Sequence, residues 1–354
     1  MSNMDLETRI NLITRAPIEE VVTVEDLRKL LETKTKIAAY DGFEPSGTMN
    51  IATGILRTIK INDLLEANVN FIILLADWYA WINNKMGGNL ELIKKVGEYF
   101  VEGYKACGLD TKKVKIMWAS DLVKDPDYWK NVISISKLTT IQRAIRAGTI
   151  MGREDADMQY VAQVLYPMMQ AYDPFYLGAD IMQLGMDQRK AMILTREVAP
   201  KVDGSIRIAA MHHLLIGLQG GQRMGPAEAK MSKSIAGSAI FIHDTKEQIT
   251  DKINGAFCQP KVVEGNPILE IWKYIILRKF DSRVIKRKNK SDLEVQSYEE
   301  LEKTYRDGEL HPLDLKKETI EALDELLEPI REYFERNKKA KELYETVKNS
   351  VITR

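Results

Sequence analysis

The sequence predicts an α/β protein with a mostly parallel sheet, followed by a mainly helical C-terminal region, and three observations carry that reading. Short apolar runs alternate with helical periodicity through the first half of the chain, and VNFIILLAD (69–77) is apolar almost throughout, as a strand buried on both faces must be. Residues 121–165 interrupt the alternation with mainly helical sequence. After about residue 236 the strand rhythm fades and long helical patterns take over.

Taken in order, residues 5–33 read as helical, with Pro17 a break. KIAAYDGF (36–43) is the first strand, leading into a helix from about Asn50 whose Ile51, Ile55, Leu56 and Ile59 recur at helical spacing. After the strand at 69–77, a helix over about 90–107 precedes VKIMWAS (114–120), and ADIMQLGMD (179–187) and SIRIAAMHHLL (205–215) are further strands. Parallel strands joined by right-handed crossovers bind ligands beyond their carboxyl ends. The loops at 42–50, 77–88 and 185–190 are therefore expected to line one cleft. Helical patterns over 246–257, 266–277 and 315–348 complete the chain. The expected division is a first domain over 1–235, with a helical insertion at about 121–165, and a helical domain over 236–354.

Composition narrows the function classes. The 354 residues are 45% hydrophobic and 29% charged, an ordinary globular balance. Formal net charge is zero, so any nucleic-acid surface must be local. Cys107 and Cys258 lie far apart and outside any C-x-x-C pattern, which argues for a reducing compartment and against zinc or a disulfide framework. The polar start MSNMDLETRI is not a signal peptide, and no apolar run approaches membrane-spanning length. A cytoplasmic protein without membrane attachment is expected.

Three constellations carry chemistry. Lys230-Met231-Ser232-Lys233-Ser234 sits in the Gly- and Ala-rich stretch GPAEAKMSKSIAGSA, where two ammonium groups can reach a polyphosphate. In DGFEPSGTMNIATGIL (41–56), Asn50 and Thr53 lie beside a helix N-terminus and can donate to phosphate oxygens next to the helix dipole. In LYPMMQAYDPFYLGADIMQLGMDQRK (165–190), Tyr166, Gln170 and Asp173 are spaced to share one helix face. Pro167 suits the first turn of that helix, and Pro174 would end or kink it just after Asp173.

These residues resemble a known family. Residues 230–234 match the second signature of class I aminoacyl-tRNA synthetases letter for letter, and Asn50-Ile51-Ala52-Thr53 stands where that class usually carries His-Ile-Gly-His. None of His212, His213, His243 or His311 falls in that motif. Gly42 to Gly47, the set Tyr40, Tyr166, Gln170, Asp173 and Gln188, and the strings VVEGNP (262–267) and GELHPLDLK (308–316) resemble the archaeal and eukaryotic tyrosyl-tRNA synthetases over nearly the whole chain. The resemblance implies a Rossmann-type catalytic domain, an anticodon-binding helical domain, and a homodimer joined through the insertion. It implies activation of L-tyrosine by ATP with Mg²⁺, then transfer to tRNA(Tyr).

The implied roles follow the chemistry. Tyr40 and Asp173 suit a phenol, as a hydrogen-bonding pair around it, while Tyr166, Gln170 and Gln188 suit an amino acid's amino and carboxylate groups. Gly42, Asn50, Thr53 and Lys233 would contact ATP, with Lys230 and Lys233 neutralising charge on the departing pyrophosphate. The nucleophile is an ionised carboxylate, so no general base is needed and catalysis is positioning plus charge stabilisation. Arg143, Arg146 and Arg189 are candidates for the tRNA acceptor stem, and Asp314 for accepting from an anticodon base. Between Arg278 and Lys290 seven Lys or Arg face one acid, Asp281, which is either a phosphate footprint or a solvated hairpin edge. RKNKSD (287–292) lacks the aromatic and glycine pair that relatives often carry there. The tryptophan enzyme of the same class is the near alternative, disfavoured because an indole offers only a donor to Tyr40 and Asp173. An inactive paralogue binding RNA or protein is the alternative from another class, supported only by the altered Asn50–Thr53 motif.

Overall fold

A computed structural model describes residues 4–152, 160–220, 231, 237–288 and 290–350. A six-stranded sheet runs through its first two thirds: β1 (Ile18–Val22), β2 (Ile37–Phe43), β3 (Val69–Leu75), β4 (Val114–Trp118), β5 (Ile181–Gly185) and β6 (Ile208–His212). Their spatial order is β1-β6-β5-β2-β3-β4, parallel except for β1, which pairs antiparallel with β6. The chain leaves β2 toward β3 and β4, then returns to its other side with β5 and β6. The switch point therefore lies between β2 and β5, and a crevice opens there at the carboxyl ends of the strands.

Period-two alternation sets up a core on each face of the sheet. Phe71, Ile73 and Leu75 of β3 pack with Ile37, Ala39 and Phe43 of β2 into one cluster, which continues through the helix Arg57–Glu66 into the C-terminal helices. Ile72 and Leu74 pack with Tyr40 into the other, beneath the helices Pro126–Leu138, Ile141–Gly148 and Val161–Tyr176. Tyr40 and Asp41, neighbours in β2, consequently point to opposite faces.

The N-terminal segment departs from the expected helical stretch over 5–33 by more than the break at Pro17. It is two helices, Leu6–Thr14 and Val24–Thr33, separated by the edge strand β1. The pairing partner β6 is remote in sequence, so the strand state of IEEVV is imposed by tertiary context. The helix carrying Tyr166 begins at Val161, placing Pro167 inside the helix rather than in its first turn, and it runs past Pro174 to Tyr176.

The C-terminal helices are tied to the first part by charge as well as by apolar packing. Lys60 is fully buried and its Nζ donates to Leu12 O at 2.8 Å and Ile13 O at 2.7 Å. Burial, opposed by nearby Asp63, pulls its ammonium down to about 7. The Asp63 carboxylate also accepts from Arg15 at 2.5 Å and from Arg278 at 2.8 Å, while Arg278 reaches the Ala16 carbonyl as well. Arg278 is thereby committed to the interior, which removes it from the basic run considered as a phosphate footprint. A hairpin, β7 (Arg283–Ile285) and β8 (Leu293–Val295), follows. Arg283 pairs with Glu318 and Glu325, and Lys290 with Glu309. Lys279, Lys286 and Lys288 are the exposed cations of this run left without a carboxylate among the described residues.

Candidate functional site

One cavity of about 440 Å³ opens at the carboxyl edge of the sheet, between β2 and β5. All three loops named from the sequence contribute to it, through Gly42, Glu44 and Asn50, through Tyr79 and Lys85, and through Asp187 and Gln188. Tyr40, Thr53, Tyr166, Gln170 and Asp173 line it as well, so eight predicted site residues from four separate elements converge on one space. Lys230 and Lys233 lie outside the described residues; Met231, between them in sequence, lines the cavity.

Asp173 is buried on the floor of the cavity. Its Oδ2 accepts from the Tyr79 hydroxyl at 2.6 Å and its Oδ1 from the Tyr128 hydroxyl at 2.8 Å. Burial pushes its carboxyl up to about 7, against the pull of these two bonds. Burial also drives the Tyr40, Tyr79 and Tyr128 phenols well above their ordinary range, so all three are neutral donors. The Tyr79 and Tyr128 phenols occupy one lone pair on each carboxylate oxygen, and no hydrogen bond joins Tyr40 to Asp173 directly among the described residues. The Tyr40 hydroxyl has no partner among the described residues and a carboxylate retains further lone pairs, so both can still serve a ligand.

Above this floor the polar side chains hold one another. Tyr166 donates to Glu44 Oε1 at 2.5 Å, and the Gln170 amide donates to Gln188 Oε1 at 3.0 Å. Gln188 in turn donates to the Ile150 carbonyl at 3.1 Å, and Asn83 to the Met151 carbonyl at 3.1 Å, fixing the rim. Such cross-bracing holds recognition groups in place before a ligand arrives.

At the other end, Asn50 starts the helix that follows β2. Its Oδ1 accepts from Thr53 N at 2.9 Å, a capping bond, and its backbone bridges to Phe241. Ile51 N donates to Ile240 O and Ile242 N to Met49 O, so the backbone that follows the lysine motif is stitched to the start of this helix. Gly54 permits the approach, since a β-carbon there would lie 2.8 Å from the Ile242 side chain. Asp41 is fully buried beside Arg57, whose Nη1 donates to its Oδ2 at 2.5 Å. Burial raises the Asp41 carboxyl to about 7, with the Arg57 guanidinium opposing.

Four residues important here were not singled out from the sequence. Tyr79 could have been, since it lies two residues beyond Asp77 in a loop already expected to line the cleft. Asp41 and Arg57 also had a signal, because a charge inside an apolar central strand demands a partner. Tyr128 sits in the helical insertion with no local cue. The residues proposed for RNA lie outside the cavity. Arg143 pairs with Glu197 and Arg189 with Glu20, Arg146 is exposed, and Asp314 stands half-buried in the first turn of the helix Pro312–Arg336.

Comparisons with known proteins agree with this geometry. The family model of class I tRNA synthetases (W and Y) matches residues 32–328. A tyrosine–tRNA ligase of Saccharolobus islandicus is 46% identical over 363 residues, covering 98% of this chain and 99% of the relative. A cytoplasmic tyrosine–tRNA ligase of Arabidopsis thaliana is 44% identical, covering 97% of this chain and 46% of that longer protein. The crystal structure of a Pyrococcus horikoshii tyrosyl-tRNA synthetase complexed with L-tyrosine superposes with a TM-score of 0.90 at 40% identity, over 97% of this chain and 100% of that one. With the fold, the cavity and the sequence in agreement from end to end, this chain belongs to the class I aminoacyl-tRNA synthetases, in the tyrosyl family shared by archaea and eukaryotes.

Proposed function

We infer that this chain is a tyrosine–tRNA ligase: it activates L-tyrosine with ATP to tyrosyl-adenylate and transfers the tyrosyl group to tRNA(Tyr). The observation that carries the reading is the buried Asp173 carboxylate with its two phenol donors, facing the unpartnered Tyr40 hydroxyl in the cavity that also receives Asn50 and Thr53. A substrate phenol placed there donates to Asp173 and accepts from Tyr40. Phenylalanine would leave both protein groups unpaired, which is how sites of this class reject it; the roughly 10⁴–10⁵ ratio known for such sites comes from tyrosyl-tRNA synthetases themselves.

In the first step a tyrosine carboxylate oxygen bonds to the α-phosphorus of ATP and the bond to pyrophosphate breaks. Gln170, Gln188 and Tyr166 would orient the amino acid, and Asn50, Thr53, Gly42, Lys230 and Lys233 would hold the triphosphate. Among the described residues no cluster of three potential metal ligands occurs. We assign Mg²⁺ to the ATP phosphates and water, an ordinary arrangement for magnesium.

Three further assignments extend the reading. The division at about residue 235 would separate catalysis from anticodon reading by Asp314, with Arg143, Arg146 and Arg189 toward the acceptor stem. Pairs at Arg143 and Arg189 are solvent-exposed and cheap to exchange for phosphate. A homodimer through the 121–165 insertion is supported by apolar side chains left in solvent there, Ile133 at 50% and Ile141 at 70% exposure. No helix among the described residues is long and apolar enough to cross a membrane, and a cytoplasmic setting suits the reaction.

The test is amino-acid-dependent exchange of pyrophosphate into ATP. Tyrosine should support it, and phenylalanine or tryptophan hardly at all. Equal exchange with tryptophan would overturn the assignment of substrate.

A further inference from the structure

The helix that opens the ATP end of the cavity lacks histidines, yet it carries a cation nobody would place from the motif alone. Arg57 stands four residues beyond Thr53, and whether the turn between them is wound as π, as it is over Ala52–Leu56, or as α, the two side chains leave the same face. Both line the cavity, together with Asn50 and Met231. The guanidinium is held on two sides. Asp41 takes Nη1, and the Phe43 ring lies beneath it with Cζ 4.8 Å from the centroid. Those contacts fix its direction and occupy one of its five N–H groups; Asp187 lies close enough to act on its charge, and no second hydrogen bond from the guanidinium is made among the described residues.

Two features argue against a purely structural pair. Asp41 is fully buried and the Arg57 side chain 18% exposed, so the pair sits where an apolar pair would cost less, since desolvating charges consumes most of their attraction. Asp41 Oδ1 is also left without a partner, an under-satisfied buried carboxylate beside a ligand cavity. An arrangement of this kind makes sense where a cation must be held in place for an anion that arrives later.

We propose that Arg57 is a further ATP-contacting residue, its guanidinium donating to the triphosphate where the first signature motif of this chain offers only neutral donors, and that Asp41 positions it. The inference rests on the tyrosine-activating reading above. Charge-assisted hydrogen bonds are about twice as strong as neutral ones, and planar guanidinium donors match phosphate oxygens in pairs. Arg57 thus supplies charge that Asn50 and Thr53 cannot.

Exchange kinetics on Arg57→Lys and on the double variant Asp41→Leu/Arg57→Leu test this, alongside calorimetric binding of tyrosine without ATP. The double variant replaces a buried ion pair by apolar side chains of similar bulk, a change proteins commonly tolerate or gain stability from. We expect kcat/KM for ATP to fall roughly 10–100-fold in the double variant and less in Arg57→Lys, the size of one charged contact. Tyrosine affinity should stay within about twofold. A folded double variant with ATP kinetics within twofold of wild type would overturn the proposal, as would an equal loss of tyrosine affinity. Wild-type protein that supports no tyrosine-dependent exchange would instead overturn the functional reading itself, so the two failures are distinguishable.

Discussion

Asp173→Asn is expected to lower kcat/KM for tyrosine in pyrophosphate exchange by roughly a thousandfold while leaving a folded protein. The carboxylate accepts from Tyr79 and Tyr128 and, in the proposed complex, from the substrate phenol. An amide of the same shape has one acceptor oxygen and turns N–H donors toward hydroxyls that are themselves donors. Losing a charge-assisted bond and stranding a buried hydroxyl together cost about 4 kcal/mol. Stability gives an independent readout. The folded carboxyl titrates at about 7, above its ordinary value of 3.8, so folding favours the protonated form and wild type loses stability as pH rises from about 4 through 7. The variant lacks this loss, so its stability relative to wild type climbs across that window. By the same linkage a phenol donating to the carboxylate favours ionisation, and wild-type tyrosine affinity should fall as pH drops below about 7. A variant within tenfold of wild type in kcat/KM would remove Asp173 from substrate recognition.

Asn50→Ala should lose about 2.7–4 kcal/mol of transition-state stabilisation, the range for one preorganised donor. The geometry gives this side chain two jobs. Its oxygen caps the helix through Thr53 N, and its amide N–H₂, without a partner among the described residues, lines the ATP end of the cavity. Loss of the cap alone costs about 1 kcal/mol of stability. Asn50→Asp separates the two, since aspartate keeps the capping acceptor but brings no donor, whereas Asn50→His restores one. Single-turnover adenylate formation and melting curves on all three variants are the measurement. KM for ATP should move less than kcat, because the contact matters most as charge develops. An Ala variant that melts earlier yet is fully active per folded molecule would leave Asn50 as a cap and nothing more.

The central sheet was legible because buried parallel strands must be apolar, and runs such as VNFIILLAD satisfy little else. β1 was not, since its five residues include two glutamates and its partner lies far along the chain. The cavity residues on Val161–Tyr176 could be placed by helical spacing, although the helix starts a turn earlier than Pro167 suggested. Tyr128 could not be placed, because its role depends on how the insertion folds back over Asp173, and no local pattern records a contact between elements so far apart. The seven basic residues from Arg278 to Lys290 left two readings open for a related reason: charge is visible in sequence, whereas the carboxylates that neutralise Arg278, Arg283 and Lys290 come from outside the run.

The knot at Asp63 bears on how this protein can be inherited. One carboxylate answers Arg15 from the N-terminal segment and Arg278 from the C-terminal helices, with buried Lys60 close by at 3.7 Å. Loss of the half-buried Arg278 would leave the buried Asp63 carboxylate with only Lys60 and the partly exposed Arg15, a larger defect than a lost surface pair. The N-terminal segment and the C-terminal helices are therefore linked through this one carboxylate. A recombination that swapped the C-terminal helices with those of a relative would succeed only if the incoming segment brought its own cation to position 278, so Asp63 and Arg278 must travel together through any shuffling of the gene.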